Sequence, residues 1–435
     1  MLIKISPTKT GGKLEYHVPA AFDETRPGFI YTLAKYGTSI ADHPVASRLP
    51  QAIDHPSLFG SPEEFRPFIR SPDVPDRLEG WLYSDNPQLA IHVITFEDAT
   101  LVTVTFVHTL MDAMGLASLF QAWTAVLRGK QDEVPLFVGF NHDPLASLSK
   151  ATLQQRYVFA DNLLKGSRFF LFALRYLFDL LWYQKDEERV IFLPAKYLQL
   201  MRDNAMEELA SQNTGDKRPF VSESDVLLSW WTRVVLRALK PATNRTIALM
   251  NIFDCRSILE ELGHMPSARS ALIANATFPT YTFLSVRHVL EEPLSFVASR
   301  IRQSLEQQRN KEQLQALAAI YKTTIEKTGH PPVFGNSSVL MIACSNWGKS
   351  RLFQVDFSPA VLASGIPLSQ RVNQLGRPSY VNATGATNGF STRNAGPVIG
   401  KDAVGNWWLA FTLRSEIWIA VGQQLRLMSK EENIN

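Results

Sequence analysis

His108-Thr109-Leu110-Met111-Asp112-Ala113-Met114-Gly115 is the stretch of this chain whose residue types could do chemistry. A histidine ends a β-rich run, an aspartate follows four residues on, and small residues permit a tight turn into a helix. An imidazole held rigidly at the mouth of a cleft can take the proton of a hydroxyl or amine as that group attacks an acyl carbon. The spacing alone is weak. With 9 His and 41 acids in 435 positions, a histidine followed four residues later by an acid is expected roughly once by chance. His288 and Glu292 form such a pair, without a following glycine, where a solvated acidic helix start explains them. For the first pair the competing reading is a buried core histidine, with Asp112 capping a helix.

The elements around the octet must position it. Residues 89–96 and 101–108 read as two strands joined by a hairpin at 97–100. Val102, Val104, Phe106 and His108 share one face at period two, so His108 is expected to end an inward-facing apolar stripe. Leu116, Leu119, Phe120, Trp123, Val126 and Leu127 then follow helical spacing, with Gly129 closing the helix.

Further along, residues 169–183 form the longest apolar run, interrupted by Arg175 and Asp179. It is too short for a membrane span and reads as a helix buried under another layer. The alternative is a surface helix that touches membranes or apolar substrates. Ser222 to Asp225 looks like a capping box for a long helix through Trp230, Val234 and Leu239. Residues 248–253, 339–344, 407–413 and 416–421 are strand candidates, and Pro293 opens another helix. The chain divides into an N-terminal domain at 1–185, a polar crossover at 186–220 with a short strand and one helix, and a C-terminal domain at 221–435. It is a mixed α/β protein of two similar-sized halves.

Composition agrees. A chain of 435 residues exceeds one compact core. Apolar content of 45% and charged content of 20% suit a globular protein. A formal net charge of +3, without a Lys/Arg-rich block, is too small to argue for nucleic acid or an anionic membrane as a partner. Cys255 and Cys344 lie far apart in apolar stretches, unlike a disulfide framework or a metal site, so a reducing, cytoplasmic setting is expected and no metal. Residues 1–10 carry no secretory signal.

Two other pieces fall in order behind the octet. Phe253-Asp254-Cys255-Arg256 ends a buried strand, and Ser345-Asn346-Trp347 is followed nine positions after the tryptophan by Asp356-Phe357. With Gly115 soon after the HxxxD, this order and spacing resemble the BAHD acyltransferase superfamily. That family has HxxxD, a D-x-R after a mid-chain strand, a Ser/Thr-x-Trp, and DFGWG nine residues past that tryptophan. The resemblance spans nearly the full length and is most like the fungal branch that decorates secondary metabolites.

The resemblance implies two similar chloramphenicol-acetyltransferase-like domains with the active site at their interface. It implies an acyltransferase, for groups other than aminoacyl, moving an acyl group (acetyl being the family's commonest) from acyl-CoA to a hydroxyl or amine of a small-molecule acceptor, as a monomer. His108 would be the general base. Asp112 would pair with Arg256 and fix the loop that carries His108. Ser345 and Trp347 would donate to the oxyanion of the tetrahedral intermediate, where acyl transfer needs donors. Asp356 would belong to the supporting DFGWG motif. The sequence departs from the family there, reading Asp356-Phe357-Ser358-Pro359-Ala360, which leaves open a CoA-independent cyclisation or rearrangement. Carrier-protein-dependent transferases of this fold use a second histidine before the motif, where this chain has Val107.

Overall fold

The computed structural model describes residues 4–7, 14–82, 84–138, 143–150, 153–212, 219–266, 270–363, 367, 369, 371, 373–385 and 392–432. Part of the first ten residues, and residues 213–218 of the polar crossover, lie outside the described residues.

Alternating β-branched and apolar residues make Leu89–Thr95 and Thr100–Phe106 an antiparallel pair, with Leu89 opposite Phe106 and Thr95 opposite Thr100. Ile30–Lys35 runs parallel on the other side of Leu89–Thr95, completing a three-stranded sheet. The larger sheet is mixed and seven-stranded. Its order is Thr277–Ser285, Thr246–Asp254, Leu340–Asn346, Ala395–Lys401, Trp407–Arg414, Asp186–Leu193 and Ser57–Leu58. Strand pairings cross between the halves of the chain: Ser57–Leu58 edges the large sheet, and Leu136–Val138 pairs in parallel with Ser270–Leu272.

The main core lies between the large sheet and the helix Glu223–Leu239, whose Trp231, Val235 and Leu236 pack with Leu409, Phe411 and Trp418. Ser222 and Asp225 form the expected capping box, and Arg302 binds the same Asp225 carboxylate. The charge is therefore paired where it is buried.

Three expectations are corrected. The strand expected at 416–421 is a turn of 3-10 helix, Ser415–Ile417, running into the helix Trp418–Glu432. Trp418, Val421 and Leu425 are all buried and recur at helical spacing, a period too long for a six-residue window to reveal. Residues 169–182 fall in the helix Gly166–Trp182, as expected, with Tyr183 as its C-cap, but only one side is covered. Phe172 packs in a cluster with Tyr157, Ala316, Leu317 and Phe334, while Phe170, Leu174, Phe178 and Trp182 are exposed. Lastly, the strand before the octet stops at Phe106. Val102 is exposed and His108 stands in a turn, so the stripe does not continue inward. Among the described residues no helix is long and apolar enough to cross a membrane.

Candidate active site

The octet is a strand exit, a turn and a helix entrance. Leu110 N–H closes the turn on the Val107 carbonyl at 2.8 Å. Leu110 and Met111 turn into a small apolar cluster with Phe106, Leu116 and Leu119, which anchors the turn from below. The His108 side chain is left exposed. Its carbonyl accepts a hydrogen bond from Asn275 Nδ2 at 2.6 Å.

Asp112 is the N-cap of the helix Ala113–Leu127. Its Oδ1 accepts from the amides of Met114 at 3.0 Å and Gly115 at 2.9 Å. Its Oδ2 accepts from the amide of Ala276 at 2.9 Å. Arg256 Nη1 and Nη2 take the same carboxylate in a fork, at 3.0 and 2.9 Å. Capping and ion pairing are thus both true of Asp112 at once. Arg256 reaches further, to Asp254 Oδ1 at 2.7 Å and to the carbonyls of Leu272 and Ala274. Burial alone would lower the pKa of this guanidinium, but Asp112 and Asp254 outweigh it and hold it above the usual arginine value. Gly115 is required by space: a Cβ there would stand 2.8 Å from Met111 Cβ.

Ser345 and Trp347 straddle the end of the central strand Leu340–Asn346. Trp347 N–H extends the ladder to the Val398 carbonyl, and the ring packs beside Phe192, Phe353 and Trp408. The indole Nε1–H donates to Ser345 Oγ at 2.9 Å. The tryptophan's donor is therefore used within the pair, and the Ser345 O–H is the group left with a hydrogen to offer. Asn346 Nδ2 holds Ser224 Oγ at 2.8 Å, tying this strand end to the start of the long core helix.

The segment after Trp347 packs across onto the octet's helix, where Gly348–Ser350 meets Ala113–Leu127. Phe357 completes the seam, edge-on to Phe120 at 6.0 Å and to Trp123 at 5.2 Å. Asp356 accepts from the Ser358 amide at 2.9 Å and lies 3.7 Å from Arg377. The bonds from Ser358, with Arg377 nearby, hold its carboxyl below the ordinary carboxylate range. Gly376, at φ +75°, backs directly onto Ser358: a Cβ would come within 2.2 Å of the Ser358 amide. The Ser-Pro-Ala departure thus still forms a tight turn of 3-10 helix, with Ser358, Pro359 and Ala360 themselves exposed.

Sequence reasoning missed Asn275, Ala276, Ser224 and the Phe120–Trp123 receptor. Asn275 sits among alanines between two strands, with no local signal of its task. His288 takes part in a helix cap, its amide donating to Ser285 Oγ at 3.1 Å. Cys255 and Cys344 are buried free thiols, each pushed up to about 12 by burial, so neither is poised as a nucleophile.

Residues 75–360 match the Transferase family profile, described as "Transferase family". The chain is a member of this transferase family. It is the BAHD group that the motifs resemble. Members similar to it include Acetyltransferase sphE of Aspergillus fumigatus, 56% identical over 97% of this chain and 84% of that protein. Acetyltransferase adrJ of Penicillium rubens is 44% identical over 95% of this chain and 83% of its own length. The fold matches the crystal structure of F. graminearum TRI101 complexed with coenzyme A and T-2 mycotoxin, with a TM-score of 0.65 at 13% identity, over 96% of this chain and 84% of that one. Two-domain, chloramphenicol-acetyltransferase-like architecture is consistent with that neighbour.

Proposed function

We propose that His108 is the general base of an acyl transfer from acyl-CoA to a hydroxyl of a small secondary metabolite. Family membership carries the reaction class: the chain is an acyltransferase, and acyl-CoA is its co-substrate. Acetyl is the group that the names of its similar relatives favour. The observation that carries the role of His108 is the contrast within one turn. Its imidazole is exposed, while the backbone beneath it is locked through Asn275, Asp112 and Arg256.

In the reaction, the imidazole takes the acceptor proton as the acceptor oxygen attacks the thioester carbonyl. The new C–O bond pushes the carbonyl electron pair onto oxygen, where the Ser345 O–H donates to it. Collapse breaks the C–S bond, and the leaving thiolate takes the proton from the imidazolium. Trp347 acts through Ser345, and Asp112 with Arg256 acts through the backbone. Asp356 anchors the segment that closes the seam between the 1–185 and 221–435 domains, which 186–220 connects. Buried, free Cys255 and Cys344 fit a reducing, cytoplasmic setting.

The test uses purified protein and acetyl-CoA, with calorimetry for binding and a thiol-release assay for chemistry. Wild type binds CoA and, with water standing in for the acceptor, hydrolyses acetyl-CoA to acetate and free thiol; His108→Ala binds equally but releases thiol about 10²- to 10⁴-fold more slowly. Absence of CoA binding would favour a carrier-protein donor or a rearrangement. Undiminished thiol release in the variant would assign the base elsewhere.

A further inference from the structure

The helix Gly166–Trp182 presents bulky apolar side chains outward. Phe170 is 65% exposed, Phe178 64%, Leu181 62% and Trp182 69%, with Leu171, Leu174 and Leu177 also exposed. At 100° per residue these seven fall within an arc of about 140°. A stripe that wide normally faces a core. Soluble monomers rarely leave more than a few hundred Å² of contiguous apolar surface open, and such patches mark interaction sites.

The opposite side of the helix is firmly held. Phe169, Phe172 and Tyr176 pack into the cluster around Phe334, and Asp179 is bound by Arg393 Nη1 at 2.6 Å and by Arg414. The outward stripe is therefore fixed in orientation. Charge selects its occupant. Asp179 is the only acid of this helix and is already engaged by those arginines, whereas Lys165, Arg168, Arg175 and Lys185 are exposed on or beside it. Arg168 and Arg175 lie along one edge of the apolar arc. An anionic lipid surface satisfies both features: acyl chains for the stripe, and headgroups for its basic edge.

We propose that this helix is an interfacial anchor, lying in the plane of an anionic membrane surface without crossing it. Its length, about 25 Å, and its one-sided pattern suit that posture. The inference does not depend on the assigned reaction.

The experiment is co-sedimentation of the full chain with vesicles of phosphatidylcholine alone or with 30% phosphatidylserine (about a third anionic lipid). Wild type should pellet with the anionic vesicles, and brominated acyl chains should quench the Trp182 contribution to fluorescence. Phe178→Ser/Trp182→Ser should weaken partitioning about tenfold or more. Arg168→Glu/Arg175→Glu should weaken it while abolishing most of its salt dependence. Phe178, Trp182 and Arg168 face solvent, so Phe178→Ser/Trp182→Ser and Arg168→Glu alone should keep the wild-type denaturation midpoint and thiol-release rate, while Arg175→Glu also gives up the 2.8 Å bond from Arg175 to Ser337. Failure of wild type to bind anionic vesicles overturns the proposal. So does a sedimentation-velocity dimer that Phe178→Ser/Trp182→Ser dissociates, which would assign the face to a second copy.

Discussion

Arg256 grips both carboxylate oxygens of Asp112, 144 positions away in the chain, with Nη1 on Oδ2 at 3.0 Å and Nη2 on Oδ1 at 2.9 Å. Both side chains are nearly inaccessible, at 12% and 7% exposed. The pair joins the N-terminal half to the strand exit at Asp254, and it does so directly beneath the turn that carries His108.

Removing either partner strands a buried charge. Asp112→Ala and Arg256→Ala should each cost on the order of 3–5 kcal/mol in denaturant titrations, with activity falling alongside. The double variant should be far less destabilised than the sum of the two. Additive losses would mean that the two residues act separately.

Ser345 and Trp347 should behave as a relay. Ser345→Ala should lower kcat by about 10²- to 10³-fold, the typical loss of one oxyanion donor. Trp347→Phe keeps the ring's packing and removes the 2.9 Å bond to Ser345 Oγ, so a drop of about tenfold is expected. The double variant should be no slower than Ser345→Ala. A multiplicative loss would give Trp347 a contact of its own with the reacting atoms.

Phe357 tests the seam. Its edge contacts with Phe120 and Trp123 are aromatic pairs, each contributing roughly 0.5–1.5 kcal/mol. Phe357→Ala should lose about 1–3 kcal/mol of stability and raise KM for acetyl-CoA more than it lowers kcat. An unchanged KM would separate this segment from the donor site.

Glu188 makes stability depend on pH. Burial raises its carboxyl to about 7 from an ordinary 4.5, against a hydrogen bond from Thr384 that lowers it and with the Glu63 charge adding to the rise. The folded state thus keeps a proton that the unfolded state releases between those values. The contribution is fully present below about pH 4.5, fades as pH rises through 7, and totals on the order of 3 kcal/mol. Glu188→Gln should flatten this slope and stabilise the protein at pH 8 relative to wild type. Denaturant midpoints at pH 5 and pH 8 measure it.

The family was legible in the amino-acid order, because it rests on motifs at an ordered spacing, and the resemblance they carry implied the pairing of Asp112 with Arg256. The capping box at Ser222 and the helix after Pro293 were legible because their chemistry lies within four residues. What the pattern could not supply was the side of each element that faces the core. The stripe ending at His108 alternates correctly, yet Val102 is exposed and the strand stops at Phe106, because that sheet has only three strands and covers little of its surface. The 416–421 stretch shows its helical period only once Trp418, Val421 and Leu425 meet the core together. Apolar content made residues 169–183 read as buried. Whether another layer covers them is a property of distant chain, and here Arg393, Arg414 and Phe334 take one side and leave the other open. The His108 turn likewise depends on Asn275, a residue with no local signature. Residue identity determined which groups could react; long-range packing decided which of them are held, which are spent on one another, and which face outward.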